Sequence, residues 1–204
     1  MENCLVTQPE AMAATGVAGN GRTMHLDTEL TLNNGARLHG QLHALRPAFI
    51  DQVVARGLRI PVGLYRGDGL LGSMVMHDLD PVAKPDWNPG RIAADPQAPY
   101  EIPPLSPFRW RDLKRQWHRK IRQMRGQLEN LAIRAIVYER GYEGLPEYAD
   151  DMVNAYLAAH GRPKVAPADR LFQALAIRQI AAAHRLDAGR LVSAPMHRTG
   201  PGAA

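Results

Sequence analysis

The sequence predicts an α+β fold with three parts in order: an N-terminal β-rich unit of two hairpins and one short helix, a Pro-rich extended arm, and a C-terminal three-helix bundle. Three observations predict it. Apolar residues alternate with period two in much of the first 80 residues, eight of the 16 prolines fall between residues 81 and 107, and apolar residues then recur with helical spacing. Strands and helices segregated in this way are typical of α+β proteins.

The first predicted hairpin spans residues 22–44 and follows a Gly-rich lead, residues 1–21, which we expect to be flexible. Apolar or small residues alternate with polar ones on both sides of the turn sequence Asn33-Asn34-Gly35. Asn and Gly tolerate the positive φ angles that a tight hairpin turn requires. The sequence therefore predicts two antiparallel strands here.

A short helix and a second hairpin complete a β-β-α-β-β unit over residues 22–80. Pro47 suits the first turn of the helix, and Gly57 suits its end. Strands are predicted at residues 58–65 and 70–79, with a turn at residues 67–69. Because proline cannot donate a ladder hydrogen bond, Pro61 places the first of these strands at an edge.

Residues 81–106 are predicted to form a linker or arm, and residues 107–190 a helical domain. Proline fixes φ and removes a backbone donor, so we expect the arm to be stiff and extended. Three helices are predicted after it, the first opened by Ser106 and Pro107. Glycines near residues 141 and 161 separate them. Residues 191–204 lack periodicity and are predicted to be a loose tail.

Positive charge is concentrated on the first of these helices. The net charge of the chain is +5, yet residues 109–125 alone contain eight basic residues and one acidic residue. In a helical projection these cations lie opposite an apolar stripe about 80° wide. Cations spaced over several turns can contact successive phosphates of a nucleic-acid backbone. We therefore predict a nucleic-acid-binding face made of Arg111, Lys114, Arg115, Arg119, Arg122 and Arg125.

Two tryptophans, Trp110 and Trp117, fall on the apolar stripe of the same helix. We predict that they anchor the core instead of stacking on bases, which favours backbone contact over base recognition. Two other partners fit the same cations. One is an acidic protein surface, such as residues 139–151 of a second copy, and the other is an anionic membrane surface.

Three weaker motifs receive structural explanations. Residues 16–23 match the spacing of a phosphate-binding loop, but Arg22 stands where lysine is required and a strand is predicted next. His39 and His43 lie in one predicted strand, over 12 Å apart by the usual rise of about 3.3 Å per residue, too far for one metal ion unless the segment is helical. A group of acidic residues suits a helix N-terminus: Glu143, Glu147, Asp150 and Asp151.

The remaining composition is that of a protein without a membrane span. A single cysteine, Cys4, excludes an intramolecular disulfide. The first residues lack the basic and apolar segments of a secretory signal, and no run of about 18 apolar residues occurs. We expect a cytoplasmic protein, or a virion component, with no cofactor, no metal site and no catalytic residues.

These observations favour a non-catalytic subunit of a nucleoprotein assembly that binds nucleic-acid backbone, DNA or RNA, through the basic helix. The alternative is a structural assembly protein, such as a virion or secretion-apparatus component, whose arm and tail contact neighbouring subunits. A third hypothesis is a nucleotide- or metal-dependent enzyme that uses the glycine-rich lead or the two histidines.

Overall fold

The computed structural model describes residues 1–19, 37–101, 106 and 108–187, the last five of these by their backbone alone. Its described part is a mixed α+β structure, which confirms the predicted class. The strands are β1 (Ala13–Ala18), β2 (His43–Leu45) and β3 (Ile92–Tyr100). The helices are α1 (Glu2–Thr7), α2 (Pro47–Ala55), α3 (Gly67–Met76), α4 (Trp110–Arg140), α5 (Ala149–His160) and α6 (Arg170–Asp187).

Strand β1 is the centre of the sheet, so the prediction of a flexible lead is wrong for residues 1–19. The strand order is β2-β1-β3, with β1 antiparallel to β2 and parallel to β3. All six residues of β1 are buried. Their side chains are small, and small residues let neighbouring strands and loops approach closely. The composition that suggested flexibility instead reflects tight packing.

Strand β3 forms from residues that were predicted to belong to the extended arm. It is an edge strand in the described sheet, where prolines are tolerated because one side needs no ladder donors. Its pairing with β1 is irregular: Gly16 lies opposite Asp95, and the next residue, Val17, lies opposite Pro99. Residues 96–98 therefore form a bulge.

The second predicted hairpin is wrong, because residues 67–76 form helix α3 instead of a turn and a strand. Leu70 and Met74 share one parity, as in a strand, but they are also four residues apart, as on one face of a helix. Val75 and Met76 are buried too. When apolar residues occupy nearly every face, periodicity cannot separate a buried helix from a buried strand. Residues 58–65 form no strand either, apart from one isolated bridge between Val62 and Tyr148.

Much of the first predicted hairpin, residues 20–36 with the Asn33-Asn34-Gly35 turn, lies outside the described residues. Residues 37–42 are a loop with a turn. Of the described part of the predicted second strand, only His43 and Ala44 lie in a strand, β2, which pairs with β1.

The start of α2 and the ends of α2, α4 and α5 follow the glycine and proline signals, but α4 begins at Trp110, with Arg109 as its N-cap, and not at Ser106 and Pro107 as predicted. Helix α2 begins at Pro47, and Gly57 follows it with φ +65°. Helices α4 and α5 are capped by Gly141 and Gly161, whose φ angles are +70° and +72°. Positive φ is the conformation that glycine adopts most readily at a helix end. Each pair among α4, α5 and α6 is in contact, which supports the predicted bundle in part. The predicted tail lies outside the described residues.

One hydrophobic core joins the sheet to all the larger helices. It includes Ala13 of β1, Phe49 of α2, Met74 of α3, Leu128 of α4 and Met152 of α5. The bundle and the sheet therefore pack together, and the space beside this shared core contains the candidate site.

Candidate functional site

The first turns of α4 extend beyond the core. We call residues 108–120 the overhang; between residues 110 and 120, Asp112 is the one buried side chain. Its carboxylate accepts the backbone N–H of Ser106 at 3.0 Å and lies 3.7 Å from the Arg115 guanidinium. Helix α4 has 31 residues, whereas α5 has 12 and α6 has 18, and the contacts of the overhang with the region of α6 are at its end, at Trp117 and Lys120.

Five of the six cations predicted to bind nucleic acid are exposed on α4: Arg111, Lys114, Arg115, Arg119 and Arg122. Arg125 differs, because it is half-buried and its Nε lies 2.7 Å from a carboxylate oxygen of Glu129. Its guanidinium also donates to the carbonyl of Gly63. Arg125 therefore belongs to the packing of the protein and is removed from the predicted face.

The prediction that Trp110 and Trp117 anchor the core is wrong. The exposed fractions are 80% for Trp110 and 46% for Trp117, and the neighbouring Phe108 is 95% exposed. Trp117 contacts the ring of Phe172 on α6, with centroids 4.7 Å apart. Helical spacing defined the apolar stripe correctly, but it could not show that the stripe runs past the end of the bundle.

A cleft of about 1090 Å³ lies between the 37–41 loop, the start of α3, the ends of β3 and the middle of α4. Its lining residues come from four separate stretches of sequence. Residues 37–41 and 65–76 contribute one side, and residues 119–138 of α4 the other, with Trp87, Ile92 and Tyr100 between them. No local spacing in the sequence connects these stretches, and Arg119 is the one predicted site residue among them.

The cleft is strongly cationic. Four arginines line it, and Asp68 is the one carboxylate among its lining residues. The carboxylate of Asp68 accepts the backbone N–H of Gly40 at 3.1 Å, which ties the 37–41 loop to the start of α3. Within the described part of the chain, none of the four arginines forms an ion pair: Arg37, Arg66, Arg119 and Arg134.

Arg66 is positioned by the absence of a side chain at Gly126. A Cβ at Gly126 would lie 2.7 Å from Nε of Arg66, so the side chain of Arg66 crosses α4 at this glycine. Helix α4 is continuous through Gly126. The neighbouring Tyr65 is held as well, because its N–H donates to both carboxylate oxygens of Glu129, at 3.2 and 3.1 Å.

Aromatic rings complete the wall of the cleft. Tyr65, Trp87, Tyr100 and Tyr138 all line it. Trp87 and Tyr138 pack edge-on against buried His77, with centroid distances of 6.0 and 5.6 Å. The Nδ1 atom of His77 lies 2.7 Å from the carbonyl of Lys84, which fixes the imidazole between the two rings.

The weaker sequence motifs have structural roles. Gly16 lies in a buried strand, so residues 16–19 do not form a phosphate-binding loop. His39 and His43 do not share a strand as predicted; the 37–42 loop places the carbonyl of His39 2.9 Å from Nδ1 of His43. Among the described residues, no group of three or more His, Cys, Asp or Glu side chains could hold a metal ion.

The acidic residues near residue 147 also follow the structural explanation in part. Glu143 forms an ion pair with Arg56 of the segment after α2. Asp150 and Asp151 lie in the first turn of α5, where negative charge interacts favourably with the helix dipole.

None of the described helices combines the length and apolar character needed to cross a membrane. Comparison of the chain with protein-family models, with curated proteins and with solved structures found no match.

Proposed function

We propose that the cleft binds a small phosphate-bearing ligand of the nucleotide class. The observation that carries this proposal is the set of four arginines without ion-pair partners in the described structure, brought from three separate stretches of sequence into one cleft. Guanidinium groups present paired donors that match phosphate oxygens and form charge-assisted hydrogen bonds. Because the lining contains four arginines and one carboxylate, the cleft favours a ligand with several negative charges.

The volume, the aromatic side chains and the glycines of the cleft suit the base and sugar of a nucleotide. Pockets for small molecules are commonly about 300–1000 Å³ in volume, and the cleft is slightly larger than that range. Tyr65, Tyr100 and Trp87 contribute aromatic rings to the lining, and nucleotide bases stack on rings of this kind. The glycines at residues 67 and 69 leave backbone N–H groups accessible in the first turn of α3. Binding, and not catalysis, is what these features support.

Changing Arg66 to Gln should weaken ligand binding by about 10- to 100-fold, because a hydrogen bond to a charged group contributes about 1.5–3 kcal/mol. The measurement is isothermal titration calorimetry with pyrophosphate and with the diphosphates of the four ribonucleosides. Arg140→Gln is the matched control, since Arg140 is an exposed arginine on α4 outside the cleft. We expect the control to bind as the unaltered protein does.

A second variant in the same titration, Gly126→Ala, moves Arg66 without removing its charge. The new Cβ would lie 2.7 Å from Nε of Arg66, so the side chain must shift. Alanine is the better helix former, so we expect this variant to keep or gain stability while its ligand affinity falls. No binding of any of the five probes at low salt, or equal loss in Arg66→Gln and Arg140→Gln, would contradict the proposal.

Nucleic acid is a second candidate ligand, favoured by the exposure of five cations along α4. Fluorescent single- and double-stranded oligonucleotides, titrated over a salt series, test it. Changing Arg111 and Arg115 to Gln removes two cations that lie outside the cleft. We expect the slope of log affinity against log salt to fall by about 2. An unchanged slope would reject backbone binding at this face.

The structural-assembly hypothesis stays a prediction, and light scattering on the same sample tests it. A mass of many subunits without oligonucleotide binding would favour it over the nucleoprotein hypothesis, whereas a monomer that binds oligonucleotide would reject it.

A further inference from the structure

The overhang exposes apolar side chains to solvent. On α4 the exposed stripe consists of Trp110, Leu113 and Trp117, and it ends where Ile121 enters the core; Phe108, just before the helix, is exposed as well. Aromatic side chains are normally buried in a monomeric domain, and a contiguous exposed group of them marks an interaction surface. The part of α4 that carries it spans about 16 Å from residue 110 to residue 120.

Basic side chains flank this stripe on both sides. In a helical projection Lys114 lies next to one edge of the apolar arc and Lys120 next to the other. Arg111, Arg115 and His118 continue the basic side, and all of them are exposed. The one acidic residue of this segment, Asp112, is buried, so the exposed charged side chains of the segment are all basic.

The separation of apolar and basic faces distinguishes the possible partners. A single strand of nucleic acid binds where aromatic rings and cations alternate along one groove, because each base stacks beside its own phosphate. Here the rings and the cations occupy different sides of one helix. A helix of this type suits the boundary of a lipid bilayer, where the apolar side enters the acyl region and lysine side chains reach the headgroups.

We propose that the overhang docks the protein on the surface of a membrane that contains anionic lipids. The helix lies parallel to the surface, with Phe108, Trp110 and Trp117 inserted at the level of the headgroups. Lys114 and Lys120 then contact lipid phosphates or carboxylates from the two edges of the stripe. Lys120 already forms an ion pair with Asp169 at 3.1 Å, so its contact with lipid competes with that pair. This inference does not depend on the ligand of the cleft.

The experiment is co-sedimentation of the full chain with phosphatidylcholine vesicles prepared with and without phosphatidylserine. We expect binding that requires phosphatidylserine and weakens with salt, because attraction to anionic lipids is screened. Trp87→Phe leaves Trp110 and Trp117 as the two tryptophans of the chain. Their emission should shift to the blue when vesicles bind, and lipids brominated along the acyl chain should quench it.

Matched variants distinguish vesicle binding through the stripe from non-specific adsorption of the protein to vesicles. Phe108→Glu with Trp110→Glu should reduce vesicle binding at least about tenfold, since it removes apolar contact and adds negative charge. Val6→Glu with Val54→Glu makes the same change in charge at two exposed valines outside the overhang, on α1 and α2. We expect the valine variant to bind vesicles as the unaltered protein does.

Four outcomes would overturn the proposal. The first is that the protein does not bind phosphatidylserine vesicles, and the second is that the overhang and valine variants bind them equally. The third is that the protein binds oligonucleotides but not vesicles, and that only the overhang variant loses oligonucleotide binding. The fourth is that the protein forms a dimer through the stripe and does not bind vesicles. Because none of these depends on nucleotide binding in the cleft, failure here and failure of the cleft proposal are distinguishable.

Discussion

Replacing Glu129 with Ala will lower the free energy of unfolding by about 3 kcal/mol, at the lower end of the cost of breaking a buried ion pair, because the change leaves the half-buried guanidinium of Arg125 without its counter-ion. Glu129 is fully buried on α4. Its carboxylate accepts Nε of Arg125 at 2.7 Å and the backbone N–H of Tyr65. When Glu129 is lost, Nε of Arg125 and the N–H of Tyr65 lose their acceptor, and the Arg125 guanidinium keeps its hydrogen bond to the carbonyl of Gly63.

Urea unfolding followed by circular dichroism measures this change. Glu139→Ala is the matched control, since Glu139 is an exposed glutamate on the same helix whose ion pair with Arg140 is also exposed. We expect the control to change stability by less than about 0.5 kcal/mol. Replacing the pair together, Arg125→Met with Glu129→Leu, should recover much of the loss. A loss below about 1 kcal/mol in Glu129→Ala would contradict the role assigned to this carboxylate.

Burial also gives Glu129 a defined effect on pH dependence. Burial raises the pKa of this carboxyl above its usual range, against the opposing effects of Arg125 and of the backbone N–H groups of Tyr65 and Arg66. The folded state therefore holds the proton more tightly than the unfolded state does. The contribution of this proton to stability is present below the usual glutamate pKa and is lost as the pH rises through the raised value. We expect Glu129→Gln to lack this decrease when unfolding is measured across that pH range.

The same carboxylate connects the core to the cleft. Glu129 holds the backbone of Tyr65, and the next residue, Arg66, lies across α4 at Gly126 and lines the cleft. The variant Glu129→Ala should therefore weaken ligand binding as well as stability, if the cleft binds phosphate as proposed. A buried ion pair that fixes a short segment in place is a reasonable source of such pre-organisation.

The ends of α2, α4 and α5 were the most predictable part of the fold, because they depend on local chemistry. Pro47 and Gly57 bound α2, and Gly141 and Gly161 end α4 and α5 with positive φ angles. Such signals act within a few residues and need no knowledge of the rest of the chain. The α+β class was predicted from the change between period-two and helical spacing of apolar residues along the chain.

The sheet was mispredicted because its residues are specified by distant contacts. Nothing local shows that Ala13–Ala18 is a central strand, since its small side chains become informative only when β3 and residue Leu42 lie against them. Helix α3 had the opposite difficulty. Its apolar residues lie on several faces, because part of the helix packs in the core and part lines the cleft, so the helical period was hidden.

The candidate site was the least predictable feature. Of the four arginines in the cleft, Arg119 alone was selected from sequence, and it was selected for a different surface. Arg66 and Arg134 lie 68 residues apart in the sequence and meet because α3 begins beside the middle of α4. The local density of positive charge in the sequence predicted the basic helix. It could not predict the cleft, because the cleft arginines come from distant stretches of sequence that lie together only in the folded chain.

Replacing Gly16 with Ala will lower the free energy of unfolding by about 3 kcal/mol, at the upper end of the usual cost of overpacking a core. A Cβ at this position would lie 2.5 Å from the carbonyl oxygen of Ala98 and 2.7 Å from Cδ2 of Leu42. The first of these atoms is backbone, so no rotamer change can relieve the contact. The N–H of Gly16 also donates to the carbonyl of Leu42 at 3.0 Å, which keeps the 37–42 loop close.

The 96–98 bulge must therefore move away from β1 in the Gly16→Ala variant, and the end of β3 moves with it. Gly69→Ala is the control, because a Cβ there would have Arg66 Cβ as its nearest described neighbour at 3.8 Å, an ordinary contact. In the first turn of α3 alanine should leave stability unchanged or raise it slightly. Equal urea midpoints for the two alanine variants would show that the bulge adapts without cost, and that the small residues of β1 are not what sets the spacing of the sheet.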